Sequence, residues 1–282
     1  LNEVGALLSI EENNMLLDIN GLSSLAYVAG TLRVRENNVL QNVDGLSALT
    51  EVGTSLEIVG NPDLADLDGL SALTSTGSLS VIFNESLLNI DGLSKLASVN
   101  GDLTLWDLPV LNNINGLSAL TTVNGNLGIY SVDLLGDLAG LMALTIIGGD
   151  LILESNNSLT NIDHLSAVSQ VGGSLSIVGN IELASLSGLS GLLNLGGSLA
   201  VNGCWELSDF NGLSGLTDIP GDLEISLNYG LNNIDGLSNL KSVGGYLIIS
   251  TNPKLTHIDG LSSLNSIGSY LRMQYNDELV HI

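Results

Sequence analysis

Seven positions in every 24 are apolar along almost the whole chain, and the positions between them are mostly polar, small or glycine. A recurring Asp/Asn-Gly-Leu pattern sets the frame, its glycine slot falling at Gly21, Gly45, Gly69, Gly92, Gly116, Gly140, His164, Gly188, Gly212, Gly236 and Gly260. Each interval is 24 residues except that from 69 to 92, where one residue is missing near Thr76-Gly77. With that slot counted as position 1, positions 2, 12 and 20 are leucine wherever they occur, as at Leu22, Leu32 and Leu40. Positions 5, 8, 14 and 23 hold Leu, Val or Ile with few exceptions (Leu25, Val28, Val34, Val43). Position 17 is asparagine in nine of twelve coils: Asn13, Asn37, Asn61, Asn84, Asn156, Asn180, Asn228, Asn252 and Asn276.

The alternation at positions 11 to 15, as in Thr31-Leu32-Arg33-Val34-Arg35, has the period of a strand. Gly-Gly or Asn-Gly ahead of it supplies a turn. No amphipathic stretch of helical period lies between these marks, so few or no helices are expected. One coil cannot bury its apolar side chains alone; identical stacked coils can, with parallel in-register strands about 4.8 Å apart. The predicted fold is an all-β solenoid, one repeat domain over 1–282, with a partial first coil at 1–20 and further coils beginning at each glycine slot.

The unit Leu-x-x-Val-Gly-Gly-x-Leu-x-Ile-x-x-Asn-x-x-Leu-x-x-Ile-Asp-Gly-Leu is carried by Leu240-Lys241-Ser242-Val243-Gly244-Gly245-Tyr246-Leu247-Ile248-Ile249 and by Leu255-Thr256-His257-Ile258-Asp259-Gly260-Leu261. It resembles the repeats of receptor L-domain-like proteins, a group that includes ligand-binding domains of insulin- and EGF-type receptors and surface proteins of fungi and bacteria. The resemblance implies a right-handed β-helix-like member of the leucine-rich-repeat superfamily, extracellular or at the cell surface. Two departures stand out. The asparagine is followed by x-x-Leu, as in Asn37-Asn38-Val39-Leu40, and the cysteine-rich modules that flank receptor L domains are absent.

Stacking turns each repeat position into a row. The Asn row at position 17 is expected to point inward and satisfy backbone groups. That burial disarms two glycosylation sequons, Asn84-Glu85-Ser86 and Asn156-Asn157-Ser158. Position 3 is serine in ten of eleven coils, which reads as a hydroxyl bonded to nearby backbone. Positions 22 and 24 are rich in Asp and Asn, as an Asx turn ahead of the glycine requires. Asp44, Asp68 and Asp91 form a run of position-24 carboxylates whose mutual repulsion a weakly bound Ca²⁺ would relieve. His257 and His281, at position 22 of adjacent coils, are candidates for a transition-metal pair. No other cofactor is expected. His164 reads as a surface substitution of a turn glycine.

Charge narrows the partners. With 30 acidic residues against 6 Lys and Arg and a net charge of −24, the chain repels phosphate backbones, so nucleic acid is excluded. Anionic membrane surfaces are disfavoured for the same reason, and no apolar run is long enough for membrane insertion. Cys204 is the sole cysteine and reads as a small buried hydrophobe. The chain shows neither a signal peptide nor an initiator Met, and both ends read as open, uncapped coils. An excerpt of a longer chain is the favoured explanation, with self-association through coil ends as the other.

A binding site on a regular stack should show where regularity is abandoned. Position 15 reads Val59, Ile82, Trp106 and Tyr130 on successive coils, with Phe83 beside Ile82. This is an exposed apolar and aromatic strip on a surface otherwise poor in aromatics. The same region loses the Asn row at Leu108 and Val132, contains Pro109, and loses the Asp row at Ala139. The strip is the candidate patch for a protein or carbohydrate ligand. A sparser cluster, Tyr246, Ile248, Tyr270, Arg272 and Tyr275, fits end-capping, and Trp205 at a turn carries no reading alone. No nucleotide loop, catalytic triad or paired acids in a cleft emerges. The expected function is therefore a non-enzymatic extracellular scaffold for recognition, adhesion or structural assembly. A filament subunit, an ice-binding protein and a polysaccharide-active β-helix enzyme are the alternatives, in falling order.

Overall fold

The computed structural model describes residues 1–282. The chain is an all-β solenoid whose only helices are single 3₁₀ turns. No helix is long and apolar enough to cross a membrane. Two compact units form, Leu1–Leu135 with Ala139–Leu144 and Gly136–Leu138 with Thr145–Ile282.

In the first unit the long strands Leu8–Glu11, Thr31–Arg35, Glu51–Val59, Ser75–Ile82, Leu103–Trp106 and Leu127–Tyr130 pair in parallel. Leu32 stands opposite Leu56, Leu56 opposite Leu79, and Leu79 opposite Leu103, so the leucine column of position 12 is continuous. The second unit repeats this with Leu151–Glu154, Leu175–Val178, Leu199–Asn202, Leu223–Ser226, Leu247–Ser250 and Leu271–Gln274. The apolar rows close into a dry spine: Leu46, Leu49, Val52, Leu56, Ile58, Leu64 and Leu67, one coil's worth, are all fully buried. Each such side chain contributes roughly 1.5–3 kcal/mol relative to exposure.

The missing residue near Thr76-Gly77 is absorbed locally. Val52 pairs with Thr76 and Ser55 with Ser78, so Gly53 and Thr54 together stand against the single residue Gly77 and register resumes at once. Thr76 replaces the position-8 valine and is buried, its hydroxyl donating to the Ser78 carbonyl at 3.0 Å.

Short two-residue strands at positions 7 and 8 form a second ladder, in which the position-9 N–H donates to the position-8 carbonyl of the preceding coil, as Gly196 does to Val171. Pro220 occupies position 9 and has no N–H to give. The ladder breaks there: Asn194–Leu195 pairs only with Gln170–Val171, and Asp218–Ile219 starts a separate three-stranded sheet.

The Asp/Asn-Gly-Leu tripeptide forms the 3₁₀ turns, as at Asp44–Leu46 and Asp68–Leu70. Glycine is favoured there by close approach between coils. A Cβ on Gly45 would lie 1.9 Å from the Ile19 carbonyl oxygen, and one on Gly69 the same distance from that of Val43. His164 fills this slot in its own coil; it is half-buried, and its Nδ1 is buried with no partner.

The Asn row points inward as expected. Asn37, Asn61, Asn84, Asn156, Asn180, Asn228 and Asn252 are fully buried. In Asn37, Asn61, Asn84, Asn180 and Asn252 the Oδ1 accepts the N–H of the asparagine one coil earlier and the Nδ2 reaches the position-14 carbonyl of that coil; for Asn61 these are Asn37 N at 3.1 Å and Val34 O at 2.9 Å. The ladder even crosses the shortened coil, where Asn61 N donates to Asn84 Oδ1 at 3.1 Å.

Candidate recognition site

The strand ends at position 15, and the next residue turns the chain out of the sheet. That turn is left-handed in every coil: position 16 has positive φ from Glu12 and Glu36 through Thr251 and Tyr275, with glycine only at Gly60, Gly179 and Gly203. The position-16 N–H still serves the sheet, as when Phe83 donates to the Trp106 carbonyl and Asp107 to that of Tyr130, both at 3.0 Å. Non-glycine residues are strained in this region by about 1–2 kcal/mol.

Parallel register sets Val59 opposite Ile82, Ile82 opposite Trp106 and Trp106 opposite Tyr130, so the predicted strip is contiguous. Its aromatic members form a run. The Phe83 and Trp106 ring centroids lie 5.0 Å apart at 47°, and those of Trp106 and Tyr130 6.3 Å apart at 58°. Phe83 and Trp106 remain 42% and 43% exposed, whereas Val59, Ile82 and Tyr130 are half-buried.

Two local departures build this ridge. Phe83 accepts φ of 55°, a conformation costly for a bulky side chain, and thereby sets its ring beside Trp106. Gly128 clears the adjacent strand position: a Cβ there would lie 2.3 Å from Tyr130 Cε2 and 2.6 Å from its hydroxyl, so the phenol ring lies over the bare backbone.

The flanks are polar and acidic. Half-buried Ser80 and Thr104 line the position-13 side. Glu57, on the same row, is engaged by Arg33, whose Nε donates to its Oε2 at 2.9 Å. Asp107 and Glu85, on the other side, are exposed, and neither is paired with a base.

The other candidates are placed as follows. Asp44, Asp68 and Asp91 open the 3₁₀ turns of successive coils. The Asx turns are made by position 22, with Asn42, Asp66 and Asn89 accepting the N–H groups of those three residues at 3.0–3.2 Å. Burial, then the charges of Asp66, Asp91 and Asp44, hold the Asp68 carboxyl above the usual carboxylate range. His257 and His281 pair as an isolated parallel bridge, and His257 Nδ1 lies 3.5 Å from Asp259 and 3.7 Å from Asp235. No group of three or more His, Cys, Asp or Glu side chains is arranged to hold a metal ion.

The position-3 serines depart from expectation. All ten are exposed, and the bonded group is their backbone N–H, as from Ser47 to the Asp44 carbonyl at 3.1 Å. The hydroxyl lies past the end of the turn, where no backbone partner is in reach.

Two features escape the sequence pattern, and a third, in the sparser cluster of Tyr246 and Tyr270, gains its geometry here. Position 11 carries a second polar ladder, in which Ser198 N donates to Ser174 Oγ, Asp222 N to Ser198 Oγ, and Tyr246 N to Asp222 Oδ1 at 2.9–3.0 Å. Trp205 pairs with Tyr229 one coil on, at 5.7 Å and 46°, with both rings exposed. Tyr246 and Tyr270 are stacked at 5.4 Å and 18°; burial, then Asp222 and Glu224, raise the Tyr246 hydroxyl's pKa.

Cys204 stands in the Asn row and is fully buried. Its Sγ lies 3.9 Å from the carbonyls of Ile177 and Asn202, the two that an asparagine there would engage. Burial pushes its thiol up to about 12, partly offset by the Asn180 backbone N–H.

Comparison with models of known protein families and with curated proteins finds no match to this chain.

Proposed function

We propose that the protein is a non-enzymatic recognition scaffold of the extracellular space or cell surface. It displays the Phe83–Trp106–Tyr130 ridge to a protein or carbohydrate partner. The observation that carries this reading is the ridge itself. Aromatic side chains are normally placed where they bury, and here two of them, one on the strand face and one at the turn beside it, stay about two-fifths exposed on a backbone adapted to hold them. Exposed aromatic clusters of this kind mark interaction surfaces, and Trp and Tyr dominate the binding energy of such surfaces. The regularity of the coils argues the same way, because even rows form a broad face and leave no walled cleft that would bring acid, base and nucleophile together.

The reading is tested by screening labelled protein on glycan and peptide arrays beside the Trp106→Ala/Tyr130→Ala double variant. Ligands that bind the natural protein should be lost from the variant. Retention of every ligand by the variant, or an array with no ligand for the natural protein, overturns it.

A further inference from the structure

From the charge around the ridge we infer that its partner is a cationic segment of another protein, with arginine or lysine side chains laid across Trp106 and Phe83. This inference rests on the ridge being a recognition surface and adds the chemistry of what it recognises.

Three observations on the first unit combine. The first is the rings: adjacent planes are tilted by 47° and 58°, so each ring leaves part of its face open to solvent. Open aromatic faces attract guanidinium and ammonium groups through the ring quadrupole, tryptophan most strongly. A flat neutral sugar prefers a coplanar platform, which tilted neighbours do not offer.

The second is the surrounding charge. Asp107 follows Trp106 directly, and its N–H is bonded to Tyr130, which fixes it beside the ridge. Glu85 lies two residues beyond Phe83. Both carboxylates are exposed and neither is matched by a base. The one local carboxylate with a base, Glu57, shows what such a partner looks like: Arg33 reaches it at 2.9 Å from the neighbouring coil.

The third is the absence of competing cations. Lys95 is the single Lys or Arg between Arg35 and Lys241, and it follows the Asp91–Leu93 turn, away from the strand that carries Trp106. An incoming cation therefore meets no resident base beside Ile82, Trp106 and Tyr130 on the strand face; the nearest there, Arg33 and Arg35, lie on the strand that precedes the one carrying Val59. The backbone strain at Phe83 fits this use, since it sets a second ring beside Trp106 and presents a wider face to a planar guanidinium.

The probe is an acetylated Arg-Gly-Arg-Gly-Arg amide, titrated calorimetrically into the whole chain at 20 mM and 300 mM NaCl. A peptide with citrulline in place of arginine keeps the shape and removes the charge. The arginine peptide should bind at least tenfold more tightly than its neutral counterpart, and several-fold more tightly at the lower salt. Trp106→Ala should weaken it about three- to thirtyfold, and Asp107→Asn several-fold, whereas Tyr246→Ala should leave it unchanged. Phe83→Gly should weaken binding while leaving the melting temperature unchanged or higher, a combination that a purely structural role for Phe83 does not produce. Equal binding by Trp106→Ala and Asp107→Asn would show diffuse attraction to an acidic surface and overturn the inference. So would a failure of the arginine peptide to bind. Binding of cellohexaose that depends on Trp106, with no binding of the peptide, overturns the cationic partner and leaves the recognition surface standing.

Discussion

Restoring the interrupted asparagine ladder should stabilise the protein, and Cys204→Asn is the substitution that does so. The thiol stands 3.9 Å from the carbonyls of Ile177 and Asn202, a weak contact at best. In the next coil Asn228 Nδ2 meets the equivalent carbonyl, that of Val201, at 2.8 Å. The Cys204 N–H already donates to Asn228 Oδ1 at 3.0 Å, so the backbone is in place to receive an amide. An asparagine would supply one strong donor bond and an oxygen for the Asn180 N–H, which now has only the sulfur. At about 1 kcal/mol net for each bond, less the cost of burying a more polar group, the gain is about 1–2 kcal/mol. Urea unfolding followed by far-ultraviolet circular dichroism would read this as a higher midpoint at unchanged slope. The mirror substitution, Asn61→Ala, orphans the buried Asn37 N–H and opens a small cavity, and should cost about 2–4 kcal/mol. A lower midpoint for Cys204→Asn, or no loss for Asn61→Ala, would refute the view that this row satisfies the buried backbone.

Buried and with its pKa pushed up to about 12, the Cys204 thiol should resist iodoacetamide at pH 8 in the folded protein and react fully in 6 M guanidinium. Asn84 and Asn156 are fully buried, so mass spectrometry of protein passed through a eukaryotic secretory pathway should find both sequons bare. The Asp68 carboxyl is raised in the folded state by burial and by Asp66, Asp91 and Asp44, so folding favours its protonated form. Its contribution is therefore present at low pH and is lost as pH rises through the folded value. Asp68→Asn should raise the melting temperature at pH 7 in low salt, with the gain shrinking toward pH 4 and in high salt; an equal gain at every pH would contradict the charge argument.

The fold was legible because its main constraint is one-dimensional. Leucine at positions 2, 12 and 20, and asparagine at 17, are fixed by the identity of the row above and below, so they repeat in the text as they repeat in space. The Asx turn was legible for the same reason. Other features depend on backbone geometry that many residue types can meet. The left-handed turn at position 16 holds Glu36, Phe83, Ser131 and Leu227 alike, so no single residue type announces it. The position-11 ladder uses Ser174, Ser198 and Asp222 interchangeably, since any short side-chain oxygen reaches the next N–H. The serine row misled in the opposite direction: its uniformity suggested a bonded hydroxyl, but the backbone carries the bond. The aromatic strip was visible as a list of residues. Its assembly was not, because the room that Gly128 makes for Tyr130 becomes evident only when the ring is placed. Trp205 was unreadable alone because its partner, Tyr229, lies a full coil away.

The shortened corner at Gly77 carries a lesson for anyone who wishes to rebuild this molecule. A residue is lost between the two ladders, yet Ser78 falls back into step opposite Ser55 and the asparagine bridge from Asn61 to Asn84 closes at its ordinary length. The framework therefore keeps time by its strands and tolerates a change in the length of the bend between them. That bend is the one corner where the chain has already accepted a change of length, and the place where a redesign can shorten a coil without disturbing the rows on either side.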